Sequence, residues 1–447
     1  MALIKPMKHQ AASLKFMAGK PAVFDMSDPG TGKTFVEIED FASRRKKRGG
    51  CALVLGTKSI LTAAWKNDIR KFAPHLKASV AYANNRSEAM HADADIYITN
   101  HDAVKELLKY PASFWKKFDT IIIDESTAFK HHTSQRSKAV AKLVKYFKYR
   151  RCMTGTPTSN GICDIWHQVL LLDSGKRLGT SFFGFRSACC TPTQTGPSAN
   201  HLKWEDKPGI EDAVISLISD ISIRHIFEEC VDIPENHKYS VTTQLSSKHR
   251  KIYEQLQDDS LAIIGKTSVT AINGAVLATK LLQAASGAVY NDDGEYSPIA
   301  TDRYELVLDL VEERTHSIVF YQWEHQLEEL LKEAKSRKVE HVVWNPDKPH
   351  IEADFQAGRY QVLFAHPASA GHGITLTKGT ATIWASPTYN LEHFLQGLKR
   401  VHRIGQKEKT ETIVVIAEGT IDEKVWEALQ GKKVRMEALF AALKESA

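Results

Sequence analysis

Short runs of apolar residues bounded by turn-forming residues alternate with longer amphipathic stretches in two separate parts of the chain. In the first part, the apolar runs that predict strands are Ala22–Met26, Ala52–Leu55, Ile96–Thr99, Thr120–Ile123 and Arg151–Thr154. In the second part they are Ser317–Tyr321, His341–Trp344, Gln361–Ala365, Ala381–Ala385 and Glu411–Ala417. Because helical spacing lies between the runs, each part predicts a parallel sheet flanked by helices, and the fold class is α/β.

These two regions predict how the chain is divided. The expected parts are a first lobe at 1–165, a largely helical insertion and linker at 166–295, a second lobe at 296–425 and a C-terminal helix at 426–447. Apolar residues recur at helical spacing over Lys248–Gly287, so this segment is predicted to be largely helical. In contrast, Thr180–Asp206 is rich in Thr, Ser, Gly and Pro and predicts an irregular insertion.

Composition excludes several classes of protein. Of the 447 residues, 43% are hydrophobic and 25% are charged, as in ordinary globular proteins and unlike disordered or collagen-like chains. The six cysteines form no C-x-x-C pair, so neither a zinc ribbon nor a thioredoxin-like site is predicted. No apolar run approaches the ~18 residues of a membrane span, and the N-terminus lacks the apolar core of a secretory signal. We therefore expect a cytoplasmic protein without a membrane partner, and its net charge of +6 permits a polyanionic one.

The segment Ser27-Asp28-Pro29-Gly30-Thr31-Gly32-Lys33-Thr34 joins the first predicted strand to a predicted helix at Thr34–Ser43. A phosphate-binding loop requires this strand-to-helix context. Glycines would let backbone N–H groups approach phosphate oxygens, Lys33 would neutralise the β/γ charge, and Thr34 would ligate Mg²⁺. Ser27 occupies the position of the first glycine in the usual motif. The alternative is a simple glycine-containing turn with a surface lysine.

Two adjacent carboxylates, Asp124 and Glu125, end the apolar run Ile121–Ile123. One could hold the Mg²⁺ shell while the next orients or deprotonates water, a division of labour that hydrolysis needs. Such a pair also occurs at solvated helix starts. Because it follows a phosphate loop within the same lobe, we interpret it as a Walker B pair.

Arg400 and Arg403 are three residues apart in the basic segment 396–406. On a helix both guanidinium groups would project from one face and could clamp a γ-phosphate. The alternative is a solvated or nucleic-acid-facing basic surface.

The order of these motifs resembles that of the Swi/Snf-type ATPases of helicase superfamily two, from Lys8 to about Lys424. Besides the phosphate loop, the matching segments are Lys8-His9-Gln10, Thr57-Lys58-Ser59-Ile60-Leu61 with Trp65, Ile98-Thr99-Asn100-His101, Asp124-Glu125-Ser126-Thr127, Phe129-Lys130, Ser137-Lys138, Met153-Thr154-Gly155-Thr156-Pro157 with Asn160, Ile318-Val319-Phe320-Tyr321-Gln322, Ser369-Ala370-Gly371-His372-Gly373-Ile374, His402-Arg403-Ile404-Gly405-Gln406 and Gly419-Thr420-Ile421-Asp422-Glu423.

The resemblance implies two RecA-like lobes and a DNA-dependent ATPase that translocates on DNA. It implies catalytic roles for Lys33, Asp124 and Glu125 from the first lobe and for Arg400 and Arg403 from the second. Nucleotide contacts are expected from Gln10, Pro29, Gly30, Thr31, Gly32, Lys33, Thr34 and Gly373, and Mg²⁺ contacts from Thr34 and Asp124. The implied partner is duplex DNA rather than single-stranded DNA or RNA, contacted through its phosphates without base specificity. The sequence does not identify a protein partner.

Several positions depart from the family pattern. Thr127 stands where motif II usually has His, Thr375 where motif V commonly has Asn, and His366-Pro367 where Ser-Thr is usual. These departures imply a compact prokaryotic or viral variant acting in the cytoplasm of a bacterial or virus-infected cell. The change at Thr127 concerns the coupling of hydrolysis to the nucleic-acid site more than hydrolysis itself.

Three other functions are alternatives to a duplex translocase. A strand-separating DNA or RNA helicase of superfamily two is the main alternative, and Gln406 disfavours the RNA helicase because an arginine is usual there. A non-catalytic DNA-binding module would not need Lys33, Asp124 and Glu125. A small-molecule kinase would not explain the paired arginines of the second lobe.

Overall fold

The computed structural model describes residues 5–58, 61–194, 202–266, 271–291, 293–348, 350–370 and 374–445. The chain divides into two compact units. Unit 1 comprises Met1–Thr191, Glu205–Asp232 and Lys432–Ala447, and unit 2 comprises Pro192–Trp204 and Ile233–Gly431. Each unit contains one large parallel β-sheet flanked by helices.

The strands follow the apolar runs closely. In chain order they are β1 Ala22–Asp25, β2 Cys51–Gly56, β3 Ala78–Ala81, β4 Ile96–Asn100, β5 Phe118–Asp124, β6 Tyr149–Met153, β7 Cys190–Gln194, β8 Leu202–Asp206, β9 Ser222–Ile223, β10 Asn236–Thr243, β11 Ala288–Tyr290, β12 Tyr296–Pro298, β13 Ser317–Phe320, β14 His341–Val343, β15 Val362–Ala365, β16 Ala381–Trp384 and β17 Thr410–Ala417.

The helices fill the intervals between the strands. The α-helices are α1 Lys8–Met17, α2 Lys33–Arg48, α3 Asn67–Phe72, α4 Arg86–His91, α5 Val104–Leu107, α6 Ala112–Trp115, α7 Gln135–Leu143, α8 Cys163–Asp173, α9 Phe182–Cys189, α10 Ile210–Ile218, α11 Phe227–Cys230, α12 Ser247–Lys266, α13 Ala271–Ala285, α14 Asp302–Glu312, α15 Glu324–Ser336, α16 His350–Gln356, α17 Pro367–Ala370, α18 Leu391–Val401 and α19 Ile421–Glu445. A π-helix at Leu61–Lys66 leads into α3. Single 3₁₀ turns lie at Ala83–Asn85, His101–Ala103, Ser126–Phe129, Val144–Tyr146 and Ser219–Ile221.

The sheet of unit 1 has the strand order β3-β4-β2-β5-β6-β1-β9, and its strands pair in parallel. Strand β5 is buried along most of its length, as expected where helices cover both faces of a parallel sheet. One core of this unit is built from the π-helix, α2 and the central strands, with Phe41, Val54 and Trp65 almost completely buried.

The sheet of unit 2 has the order β10-β17-β16-β13-β15-β14 and is likewise parallel. Its core joins α14 and α15 to the central strands through residues such as Val307, Leu330 and Ile383. Two parallel sheets flanked by helices confirm the predicted α/β class.

The structure corrects the prediction for Thr180–Asp206. Instead of being irregular throughout, this segment contains α9 and the paired strands β7 and β8, while its most Ser- and Gly-rich part lies outside the described residues. Both strands have mostly exposed residues and few apolar side chains, so they gave no signal in the sequence.

The predicted division of the chain also needs correction. The segment 166–295 is not a body of its own, because β9 completes the sheet of unit 1 and β10 joins the sheet of unit 2. The boundary predicted between residues 425 and 426 falls inside the continuous helix α19. Among the helices of the described ranges, none is both long enough and apolar enough to cross a bilayer.

Candidate nucleotide site

Three strands of unit 1 direct their carboxyl ends to the same place. Strands β5, β6 and β1 are neighbours and parallel, and Asp124, Met153 and Asp25 at their ends are in register. Loops that follow parallel strands emerge at the same edge of the sheet, which is where α/β proteins bind ligands. The predicted phosphate loop and the predicted carboxylate pair are therefore brought together, although about 90 residues separate them in sequence.

The loop between β1 and α2 has the backbone shape of a phosphate cradle. Gly30 and Gly32 have φ angles of +92° and +84°, a region that side chains with a Cβ rarely adopt. A Cβ on Gly32 would also clash with Nε2 of Gln10, so a larger residue there would displace that side chain as well as strain the backbone. Helix α2 begins directly afterwards, and no side chain caps its first turn. Its N–H groups and the positive end of its dipole suit an anion.

The side chains of the loop are placed as follows. Lys33 folds back over the loop, because its Nζ donates to the carbonyl oxygens of Ser27 at 2.6 Å and Asp28 at 3.2 Å. Thr34 lies in the first turn of α2. Thr31 is buried and its hydroxyl donates to the Asp28 carbonyl at 2.8 Å. Pro29 lies against Gly155, where a Cβ would be only 2.7 Å from the Pro29 Cδ.

Asp124 is fixed at the end of β5 by two hydrogen bonds. Nε1 of the indole of Trp65 donates to its Oδ2 at 2.8 Å, and Nε2 of His101 lies 2.8 Å from its carbonyl oxygen. The surrounding protein raises the pKa of Asp124 to about 6 because burial disfavours its charge, and the hydrogen bond from Trp65 opposes that rise. Lys33 also favours the charged form, so these two predicted site residues interact electrostatically.

Glu125 has a φ of +54°, in the left-handed region that few non-glycine residues adopt. Its side chain is held by two hydroxyl groups, because Thr154 donates to Oε1 at 2.5 Å and Thr127 donates to the same oxygen at 3.1 Å. Thr154 in turn accepts from the backbone N–H of Thr156 at 3.1 Å. Thr127, which departs from the family pattern, thus contacts the acidic side chain directly.

A glutamine on α8 connects the two segments that follow β5 and β6. Ser126 donates to Oε1 of Gln168 at 2.6 Å, and Nε2 of Gln168 donates to the carbonyl of Pro157 at 2.9 Å. Gln168 was not predicted because a lone Gln has no motif of its own. Thr154 lay in a matching segment, but its contact with Glu125 spans 29 residues and left no local signal. Trp65 lay in a matching segment, but its contact with Asp124 spans 59 residues and left no local signal.

Gln10 reaches the loop from α1. Its Nε2 donates to the carbonyl of Thr31 at 3.2 Å, while its Oε1 accepts from the N–H of Met7 at 2.9 Å. His9 lies beside it, with Nε2 2.8 Å from the same Thr31 carbonyl. The structure thus places Gln10 against the loop, and its contact with a nucleotide stays a prediction.

Arg400 and Arg403 lie in unit 2, and the structure corrects how they are arranged. Helix α18 ends at Val401, so Arg403 is not on the helix that was expected to carry both. The two guanidinium groups still converge, because each donates to the carbonyl of Ile374, at 3.1 Å from Arg400 and 2.7 Å from Arg403. Arg400 is buried at 7% exposure, whereas Arg403 is half-buried. Gly373, the remaining predicted nucleotide contact, lies outside the described residues.

Comparison with protein families gives two matches along the chain. The SNF2-related domain matches residues 9–286, and the helicase conserved C-terminal domain matches residues 302–405. The first alone covers more than half of the chain.

Individual relatives agree with these matches. Protein p41 of Acyrthosiphon pisum secondary endosymbiont phage 1 is 29% identical over 413 residues, which cover 88% of each chain. An uncharacterized ATP-dependent helicase of Mycoplasma genitalium is 24% identical over 90% of this chain and 39% of its own. A SWI/SNF-related regulator of chromatin, subfamily A-like protein 1, of Xenopus tropicalis is 23% identical over 91% of this chain and 42% of its own. The chain thus spans most of the phage protein but less than half of the other two.

Among solved structures, the Sulfolobus solfataricus SWI2/SNF2 ATPase core in complex with dsDNA is similar to this chain. The match has 21% identity and a TM-score of 0.45, and covers 99% of this chain and 97% of that one.

Proposed function

We propose, from the premise that this chain belongs to the SNF2-related family of helicase-like ATPases, that it hydrolyses ATP and uses the hydrolysis to move along duplex DNA. One observation of the structure supports this most directly. The loop that carries Lys33 and the carboxylates of Asp124 and Glu125 meet at one edge of a parallel sheet, which is the arrangement that phosphoryl transfer to water requires.

In the proposed reaction the oxygen of the attacking water bonds to the γ-phosphorus of ATP while the bond from that phosphorus to the β–γ bridging oxygen breaks, which gives ADP and phosphate. Glu125 accepts the proton that the water loses. Thr154 and Thr127 both donate to Oε1 of this carboxylate, which holds the side chain in one orientation. Lys33 exchanges its bonds to the loop carbonyls for bonds to phosphate oxygens. It then stabilises the charge that develops on the transferred group.

The residues present fit a magnesium ion. Asp124 and Thr34 offer a carboxylate and a hydroxyl, which are the hard oxygen donors that Mg²⁺ prefers. Within the described residues there is no group of three or more His, Cys, Asp or Glu side chains that could hold a metal unaided. Asp124 and Thr34 would hold such an ion, which when bound would neutralise phosphate charge. Trp65 orients Asp124 for this role.

Arg400 and Arg403 remain proposed γ-phosphate contacts from unit 2. Arg403 is the better candidate because it is the more exposed of the two, whereas Arg400 is buried beside Ile374. An arginine that contacts the transferred phosphate acts mainly on the rate and less on nucleotide affinity.

The proposed DNA contacts are made to phosphates, so they should depend on salt and not on sequence. ATP turnover is to be measured without polymer and then with several unrelated duplexes, single-stranded DNA and RNA, each at low and moderate salt. We expect duplex DNA to stimulate turnover most, equally for all sequences, and the stimulation to fall as salt rises. We also propose that this takes place in the cytoplasm of a bacterial or virus-infected cell.

A Lys33→Ala protein serves as the control in each measurement, because it should show no turnover with any polymer. Greater stimulation by RNA would favour an RNA helicase over a duplex translocase. No stimulation by any polymer would contradict the proposed coupling to nucleic acid. A second assay with a fluorescently labelled strand would report whether duplexes are opened.

A further inference from the structure

A carboxylate inside the phosphate loop has both of its oxygens bound by a segment that lies about 200 residues away in sequence. Nη2 of Arg224 donates to Oδ1 of Asp28 at 2.8 Å, and the N–H of Phe227 donates to Oδ2 at 2.9 Å. The side chains of Arg224 and Asp28 are only 11% and 16% exposed. Water therefore screens this ion pair weakly.

The same segment follows the loop backbone. The N–H of Met26 donates to the carbonyl of Ile223 at the end of β9, at 2.8 Å, and the N–H of Asp28 donates to the carbonyl of His225 beyond it, at 3.0 Å. Nη1 of Arg224 donates to the carbonyl of Met26 at 2.5 Å. Arg224 thus connects two points of the loop, one on the backbone and one on a side chain.

Ser27 explains how the loop tolerates the loss of its first glycine. Its φ is not in the left-handed region, so the backbone there does not require glycine. Its hydroxyl accepts from the N–H of His225 at 3.0 Å, and its own N–H donates to Oδ1 of Asp25 at 2.9 Å. The hydroxyl at position 27 therefore adds an attachment that a glycine could not make.

Phe227 covers the loop at the position where its backbone is most constrained. Its ring is buried, and a Cβ built on Gly30 would lie 3.1 Å from the ring. The side chain of His225 contacts helix α1, because its Nε2 lies 2.9 Å from Oγ of Ser13. The residues Arg224, His225 and Phe227 thus form a clasp on the loop, and the term is used below for these three.

We propose that Arg224 and Asp28 are a positioning pair, which holds the phosphate loop in the shape that binds the nucleotide phosphates. This inference rests on the proposed function, because it assigns the loop to ATP. Neither side chain needs to touch the nucleotide, since both oxygens of Asp28 are engaged by the clasp and Arg224 reaches away along the loop backbone.

An arginine is specifically suited to this position. Its planar guanidinium presents several N–H groups in a fixed geometry and contacts Met26 and Asp28 at the same time. A lysine would keep the charge but offers a single ammonium, so it would satisfy one contact at the expense of the other. We therefore expect the Arg224→Lys variant to keep the fold but to bind nucleotide more weakly at the phosphate loop.

The experiment uses Arg224→Lys, Asp28→Asn and the double variant of the full chain. The readouts are the affinity for a fluorescent ADP with Mg²⁺, the rise in Tm caused by ADP with Mg²⁺, and kcat and KM for ATP. Arg177→Ala is the matched control, because Arg177 also pairs with aspartates in unit 1, at 3.1 Å from Asp173, but lies outside the loop.

We expect each single variant to bind ADP at least tenfold more weakly and to show a smaller ADP-induced rise in Tm. KM for ATP should rise more than kcat falls. The double variant should be little worse than either single one, because the two side chains act as one contact. Arg177→Ala should keep the full ADP-induced rise whatever its Tm without nucleotide.

The inference is overturned if the variants lower Tm without nucleotide but keep the wild-type ADP affinity, since the pair would then be purely structural. Lys33→Ala separates this failure from failure of the proposed function. If Lys33→Ala also binds ADP normally and hydrolyses ATP, the loop is not the nucleotide site. If Lys33→Ala abolishes hydrolysis while the clasp variants behave as wild type, only the positioning role of Arg224 and Asp28 is wrong.

Discussion

The indole of Trp65 donates a hydrogen bond to the carboxylate of Asp124 at 2.8 Å, and the indole is itself completely buried. Trp65 lies in the π-helix Leu61–Lys66, a rare geometry that often occurs at functional sites. The hydrogen bond occupies one carboxylate oxygen and fixes the plane of the group, so the orientation of the other oxygen is set before any ligand arrives.

Replacing Trp65 by Phe should slow ATP hydrolysis while keeping most of the core packing. A hydrogen bond to a charged group contributes roughly 1.5–3 kcal/mol, so a loss of about 10- to 100-fold in kcat/KM is expected. The concentration of Mg²⁺ needed for half-maximal turnover should rise as well. Trp115→Phe is the control, because Trp115 is equally buried but its Nε1 has no acceptor among the described residues. Equal losses in both variants would contradict the role of the indole N–H.

Glu125→Gln should abolish hydrolysis but leave ADP binding close to that of the wild type. An amide keeps the size of the side chain and cannot take the proton of the attacking water. Thr154→Val should give a smaller loss, roughly 10-fold, because it removes one of the hydroxyl groups that orient Glu125. Single-turnover hydrolysis and equilibrium ADP binding distinguish the two effects. Normal turnover by Glu125→Gln would eliminate this side chain as the base.

Arg403→Ala and Arg400→Ala should differ in stability although both lose hydrolysis. Arginines that contact a transferred phosphate contribute roughly 10³–10⁵ in rate. Arg400 is buried and donates to the carbonyls of Gln396 and Ile374, so its removal loses two buried hydrogen bonds and the packing of a long side chain and should also lower Tm. Turnover with duplex DNA and thermal unfolding are the measurements, with Arg359→Ala on the exposed surface of unit 2 as the control. Unchanged turnover in both variants would refute their assignment to the phosphate.

Glu37 on α2 predicts a pH dependence of stability. Burial raises the pKa of Glu37 to about 8, even though Arg151 lies 3.9 Å away, and neither carboxylate oxygen has a hydrogen-bond partner among the described residues. The folded state binds this proton more tightly than the unfolded state does. The protonation of Glu37 therefore stabilises the fold fully below pH 4.5, and this stabilisation is lost as the pH rises to about 8. The slope is up to about 1.4 kcal/mol per pH unit within that window.

Glu37→Gln should remove this dependence, since the amide does not titrate. Denaturant unfolding between pH 5 and pH 9 would show the variant gaining on the wild type as the pH rises. Glu88→Gln, on the exposed face of α4, should follow the wild-type curve. Parallel curves for the wild type and Glu37→Gln would mean that Glu37 is charged throughout.

The strands that could be predicted are those whose buried residues are contiguous. Strand β5 is buried without interruption from Thr120 to Ile123 because both faces of the sheet are covered, and this run therefore identified it. Strand β10 lies at the edge of its sheet with mostly exposed side chains, and β9 has only two residues. Neither has a local pattern, because pairing with a distant strand determines both.

The same rule applies to the candidate site: contiguous motifs could be recognised, and contacts between distant residues could not. Lys33, Asp124 and Glu125 belong to contiguous motifs whose chemistry is evident from residue type and spacing. Trp65, Thr154 and Arg224 act through contacts with residues 59, 29 and 196 positions away, which only the folded chain brings together. The expected helical arrangement of Arg400 and Arg403 was wrong because α18 ends between them.

The position of β9 and the clasp in the sequence has a consequence for how the protein is made. The phosphate loop leaves the ribosome with the first few dozen residues, but the strand and the side chains that secure it follow only at Ser222 to Phe227. A nascent chain of 165 residues would contain Lys33, Asp124 and Glu125 and yet lack one edge of the sheet beside β1. If the clasp is needed to shape the loop as proposed, nucleotide binding begins only when about half of the polypeptide has been synthesised.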